Sequence, residues 1–216
     1  MTLIKPPFLR AGAAALAIAV VAGAGLSACA PLLFSGAAVG VLMVTDRRTS
    51  GAQIEDEGIE LRSASRIRDS LTDRAHVNIA SYNRQVLLTG EVPTAEDKLL
   101  VEQIVSRVDN VRAVVNELAV MGNTSLAQRS SDSLITTRVK ASMVDAKDLF
   151  ANAFKVVTER GTTYLMGRVS QREADRATEI ARGTSGVKKV VRIFETVSDE
   201  QLKALLPTPA PGDAKK

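Results

Sequence analysis

Residues 82–120, "YNRQVLLTGEVPTAEDKLLVEQIVSRVDNVRAVVNELAV", and residues 158–197, "TERGTTYLMGRVSQREADRATEIARGTSGVKKVVRIFETV", carry one pattern twice. Gly90 falls on Gly167, Val92 on Val169, Glu96 on Glu173 and, after a one-residue gap, Val111 on Val187. A repeat of this length implies two copies of one small domain.

Each copy reads the same way by period. A first helix has apolar residues four apart: Ile67 and Leu71 in one copy, Ile135, Val139 and Met143 in the other. Two alternating runs then predict a hairpin, 77–82 with 85–92 and 154–158 with 163–169, turning at Asn83-Arg84 and Arg160-Gly161. A second helix opens at a cap, Thr94 with Asp97 three residues on and Ser170 with Glu173 three residues on, the latter the better capping box. A last β-rich run, 111–120 and 187–197, closes each unit. The predicted class is α+β: two tandem αββαβ domains, each a small mixed sheet with two helices on one face.

Outward from the repeats the chain changes character. Ala11 to Val44 holds no charged residue. Lys5 and Arg10 form a positive n-region, Ala13 to Gly25 an apolar h-region, and Leu26-Ser27-Ala28 ends it with small residues, the layout of a secretory signal. Cys29, the single cysteine, follows at once. Residues 30–44, interrupted by Pro31, Gly36 and Gly40, are too few and too broken to span a bilayer and suit a tether or a short interfacial segment. Residues 45–62 are polar, and their adjacent Glu55, Asp56 and Glu57 suit a solvated face or linker. The Pro-rich end "PTPAPGDAKK" cannot bury a core. The expected organisation is therefore 1–28 signal, 29–60 tether and linker, 61–121 first domain, 132–197 second domain and 207–216 disordered tail.

These residues carry a resemblance. Leu26-Ser27-Ala28-Cys29 resembles the lipobox of bacterial lipoproteins, which implies cleavage before Cys29 and acylation of its sulfur and amino group. Ala30, in place of the inner-membrane retention signal Asp, implies export to the outer membrane, with the folded domains in the periplasm. The αββαβ unit, with "LTGEV" or "LMGRV" ending its second strand and "VDNVRAVVNEL" or "TSGVKKVVRIF" entering its third, resembles the BON domain. Two such units behind a lipobox look like the dual-BON outer-membrane lipoproteins. That family implies non-catalytic binding of anionic phospholipid, notably phosphatidylglycerol, enrichment at the division site, and support of envelope integrity.

Charge separates the two repeats. Residues 62–121 hold eight basic and eight acidic side chains, whereas 132–197 hold twelve and eight, a net +4. On the first helix of repeat two, Leu134, Thr137, Ala141 and Val144 form a weaker apolar stripe opposite the core stripe, flanked by Arg138 and Lys140. An apolar stripe between cations suits an interfacial helix, whose cations meet lipid phosphates. These six residues are the candidate lipid contact, unless Leu134 or Val144 packs on repeat one. The family places its contact on this same helix; its usual Trp at the helix start is Leu134 here, and the chain has no Trp. The repeat-one helix "SRIRDSLTDRA" shows no second stripe.

A catalytic reading lacks residues. His76, the one histidine, stands at the start of a strand as a structural side chain, and no HExxH, paired Cys or glycine-rich phosphate loop occurs. Asp145 and Asp148 alone make no metal site, so no metal and no cofactor is expected. Basic residues without interleaved aromatics argue against nucleic acid. The alternative to lipid binding is an adaptor that docks to envelope-assembly, division or peptidoglycan-remodelling proteins while the anchor supplies all membrane affinity. The sequence leaves the oligomeric state open.

Overall fold

The computed structural model describes residues 46–205; the expected signal, Cys29, the apolar tether and the 207–216 tail lie outside them. The elements in order are α1 (Ser50–Leu71), β1 (His76–Tyr82), β2 (Gln85–Val92), α2 (Ala95–Ser106), β3 (Ala113–Asn116) and β4 (Ala119–Val120), then α3 (Leu126–Asp145), β5 (Phe154–Glu159), β6 (Thr162–Val169), α4 (Gln171–Gly183), β7 (Lys189–Thr196) and a short α5 (Asp199–Leu205). Single 3-10 turns precede β1 and β5.

The predicted αββαβ order appears twice. In each half the hairpin is antiparallel and the last strand joins it in parallel, as an intervening helix requires. Both turn pairs have positive φ, 50° and 65° at Asn83-Arg84 and 51° and 76° at Arg160-Gly161, the geometry of a two-residue hairpin whose twist matches its strands. Ser170 and Glu173 form a reciprocal capping box, and Thr94 caps α2 through the amide of Asp97.

Three readings change. The first helix begins at Ser50, capped by Thr49, so the expected 29–60 linker loses its last eleven residues to the first domain. The sequence hid this because the helix buries polar groups: Asp56 and Ser63 share its inner face with Ile59, Ile67 and Leu71. The Glu55-Asp56-Glu57 run is accordingly not all solvated; Asp56 is 1% exposed. The expected single closing strand of the first domain is also broken into β3 and β4, because Leu118, 2% exposed, turns into the core between them.

Each sheet buries one face under its own helices. Ile59, Ile67, Leu71, Val86, Leu88, Val101 and Val105 make the first core, and Ile135, Val139, Met143, Leu165, Val169, Ala174 and Ala181 the second. The opposite faces pack on each other: Ala80, Tyr82 and Leu87 meet Tyr164, Met166 and Ile193 in a third core. The molecule is thus four layers, with helices outside and two sheets inside. Polar contacts rim this contact. Lys155 Nζ donates to the Ser81 carbonyl at 3.0 Å, Tyr82 Oη to the Ala153 carbonyl at 3.2 Å, and Asn83 Nδ2 to Glu195 at 2.6 Å. Arg47, just before α1, pairs with Glu173 at 2.7 Å, while the adjacent Arg48 pairs with Asp56 at 2.8 Å and lies over the Tyr82 ring. Two consecutive arginines therefore tie the entering chain to both domains.

Candidate functional site

Helix α3 is capped by Ser125 and turns Ile135, Val139 and Met143 into the second core, with exposures of 5%, 0% and 1%. At about 100° per residue, Leu134, Thr137, Ala141 and Val144 then fall on the opposite side. All four are exposed, Leu134 at 57% and Val144 at 67%, and so are the flanking Arg138 and Lys140. Domain one covers none of this stripe, because it packs on the sheet and not on the helices. Among the described residues neither Arg138 nor Lys140 makes an ion pair or side-chain hydrogen bond. The Thr137 hydroxyl donates back to the Ser133 carbonyl at 3.0 Å, which leaves no unmet polar group in the stripe.

Two residues outside the sequence reading extend this surface. Phe150, in the loop after α3, is 50% exposed, with the Arg47 guanidinium 5.7 Å from its ring centroid. Asp46 lines a hollow of about 400 Å³ with Lys140, Val144, Ala151, Asn152 and Phe154, so the described chain begins beside the C-terminal half of the stripe. A lone Phe in a loop reads as core, and only the fold reveals its exposure. Across all described residues, no helix is long and apolar enough to cross a membrane.

His76, Glu91 and Glu159 form the single group among the described residues with metal-ligand proximity, their donor atoms lying within 4.8 Å of one another. The geometry is that of a lock between the sheets. Glu91, fully buried, accepts from Arg160, from both the amide and hydroxyl of Thr124 at 3.2 Å, and meets His76 Nδ1 at 3.1 Å. Arg160 already supplies the positive charge a cation would bring. Burial pushes Glu91 up, but the bonds from Thr124, Arg160 and His76 outweigh it and hold the carboxyl below its usual range. Among the described residues Glu159 has only the neutral Asn78 amide as a direct partner, at 2.8 Å, and burial, with Glu91 nearby, raises it.

An acid raised in the folded state destabilises that state above its unfolded pKa, and the loss disappears as pH falls below both values. Glu159→Gln should therefore unfold at higher temperature than the parent at pH 7. The two should converge near pH 4, about where an unfolded Glu titrates. A calorimetric pH series checks this; a variant less stable at pH 7 would show that Glu159 acts as an ionised partner.

Known proteins give three comparisons. The BON domain family matches residues 55–122 and 131–197. The outer membrane lipoprotein DolP of Haemophilus influenzae is 38% identical over 182 residues, 83% of this chain and 94% of that protein. A 21 kDa hemolysin of Actinobacillus pleuropneumoniae is 34% identical over 154 residues, 70% of this chain and 79% of that one. Among solved structures, CdsD, a structural protein of the Chlamydia trachomatis type III secretion system, covers 68% of this chain and 99% of its own at 13% identity, with a TM-score of 0.27 that carries no argument.

Proposed function

Because the chain belongs to the BON-domain family, as an outer-membrane lipoprotein with two such domains, we propose that its second domain docks on anionic phospholipid through the α3 stripe. The supporting observation is that Leu134 and Val144 stand open to solvent on the face opposite the core, between the unpaired cations Arg138 and Lys140. The apolar side chains enter the headgroup boundary while the cations meet phosphates. Leu134 stands in the middle of α3 and not at its start, and Phe150, in the loop beyond the helix's C-terminal end, supplies the aromatic that Leu134 does not. Cys29 is the acylated first residue of the mature protein, and its anchor delivers the domain to the bilayer. The role is binding without catalysis, with phosphatidylglycerol-like headgroups as targets and envelope integrity, including that of the division site, as the outcome.

The test is co-sedimentation of residues 46–206 with vesicles of phosphatidylglycerol or phosphatidylcholine at low and high salt. Binding should favour the anionic vesicles and weaken with salt. Leu134→Asp and Val144→Asp should each weaken it about tenfold, the loss of one buried apolar side chain, with unfolding midpoints unchanged. If the folded parent binds neither lipid, the anchor supplies all the membrane affinity and the adaptor reading replaces this one.

A further inference from the structure

Helix α1, which starts at Ser50, carries apolar residues on its outer face. Ile54 and Leu61 are 70% and 73% exposed there. Beside Leu61 and Ala64 a hollow of about 430 Å³ runs down to Val77, Asn78 and Ile79 of β1, and a second hollow continues it past Ala64 to Arg68. Strand β1 is the edge of its sheet. Its outward backbone groups at Ser81 are taken, the amide by Glu60 at 2.7 Å and the carbonyl by Lys155. By the two-residue period of a strand, Val77 and Ile79 point the same way, and no described residue bonds to their backbone groups. An exposed edge beside an apolar wall is the geometry into which another strand adds.

The stripe on α1 names the occupant. Glu57, Leu61, Ala64 and Arg68 fall within about 60° of the helix circumference. Read in the opposite direction, the stripe exchanges Glu57 with Arg68 and Leu61 with Ala64, and its two central residues line the hollow with Val77, Asn78 and Ile79. Both charged residues lack an ion pair among the described residues. A surface that is its own complement about a two-fold axis fits a second copy of itself. We propose that two copies of this chain associate edge to edge: β1 pairs antiparallel with β1 about Asn78, Val77 and Ile79 exchange backbone hydrogen bonds with Ile79 and Val77 of the second copy, and Glu57 meets Arg68 across the axis. The dimer stands apart from the lipid reading, since α1 and α3 lie on opposite outer layers.

The two Asn78 residues would form a non-hydrogen-bonded pair, with Cα atoms about 4.5 Å apart, within disulfide range. Full-length protein carrying Asn78→Cys, oxidised in its own membranes, should run as a dimer on a non-reducing gel. Glu57→Arg added to it should cut the dimer band at least fivefold, and Glu57→Arg with Arg68→Glu should restore it. Sedimentation velocity of the full chain in detergent, without the new cysteine, should show the same loss and rescue. Three results would overturn the proposal: no dimer band, an adduct of another mass, which would assign the edge to a different protein, or a band indifferent to both charge changes, which marks random collision.

Discussion

Asp56→Ala should cost about 3 to 5 kcal/mol of folding stability, the range for removing one partner of a buried ion pair. The carboxylate accepts from the Ser81 hydroxyl at 2.6 Å, from the amides of Arg84 and Asn83 at 2.7 and 2.8 Å, and from the Arg48 guanidinium. Those two amides belong to the hairpin turn, where positive φ aims them at the helix and away from any strand. Without Asp56 these part-buried amides lose their protein partner, and each costs toward the lower end of the unpaired-amide range, about 1 kcal/mol. Burial would push Asp56 up, but the bonds from Ser81, Arg84, Arg48 and Asn83 hold it below the ordinary range. Its stabilising contribution is therefore present above an unfolded pKa of about 3.9 and lost as pH falls through the lower folded value. Urea unfolding at pH 7 and pH 3 should show a large gap between parent and variant that narrows on acidification. A cost under about 1 kcal/mol at pH 7 would mean the turn closes without the helix. Asp132 does the same work in the second domain, accepting from the amides of Arg160 and Gly161 at 2.9 and 2.8 Å, but its side-chain partner is the neutral Gln128, so Asp132→Ala should cost less.

Gly90→Ala should be comparably severe, at about 3 to 5 kcal/mol, summing backbone strain and overpacking. Gly90 has φ +108°, and an added Cβ would collide with the His76 carbonyl of the neighbouring strand. That carbonyl belongs to the paired ladder, so it has little room to retreat. Gly167 has no such φ, but its Cβ would lie 2.7 Å from the Ala153 carbonyl, which is held by Tyr82 from the first domain. Gly167→Ala should cost about 1 to 3 kcal/mol, the overpacking share alone. Gly183, with open space around it at the end of α4, is the control and should be neutral or slightly stabilising as Ala. Thermal midpoints of the three variants test the ranking. Equal losses at Gly90 and Gly167 would remove the strain argument.

The repeat, the hairpin turns, the caps and the two-stripe pattern of α3 were legible because each rests on local chemistry: period, a positive-φ pair, an oxygen three residues before an amide. The start of α1 was not, since its inner face carries Asp56 and Ser63 where a periodicity reading wants aliphatics. One signal would have exposed it: Asp56-x-x-Ile59 repeats as Asp132-x-x-Ile135, so the second helix announces what the first is doing. The stripe residues were readable because exposed and buried positions on a helix differ by a rotation alone. Phe150 and the Arg47–Glu173 pair were hidden because both depend on which segments the fold brings together, 126 residues apart in the second case.

The contact of sheet upon sheet also bears on how the two copies have been free to diverge. Ala80, Tyr82 and Leu87 pack on Tyr164, Met166 and Ile193, with Val115, Val157 and Val191 at the margin, so neither copy could be shed without leaving the other with a bare apolar face. The duplication is therefore obligate, and change at the inner residues of one copy is answerable to the other. The helices, on the outer layers, carry no such debt. There the two long helices of the first copy hold four basic and eight acidic side chains and those of the second six basic and five acidic, a divergence in charge that the shared interior left untouched.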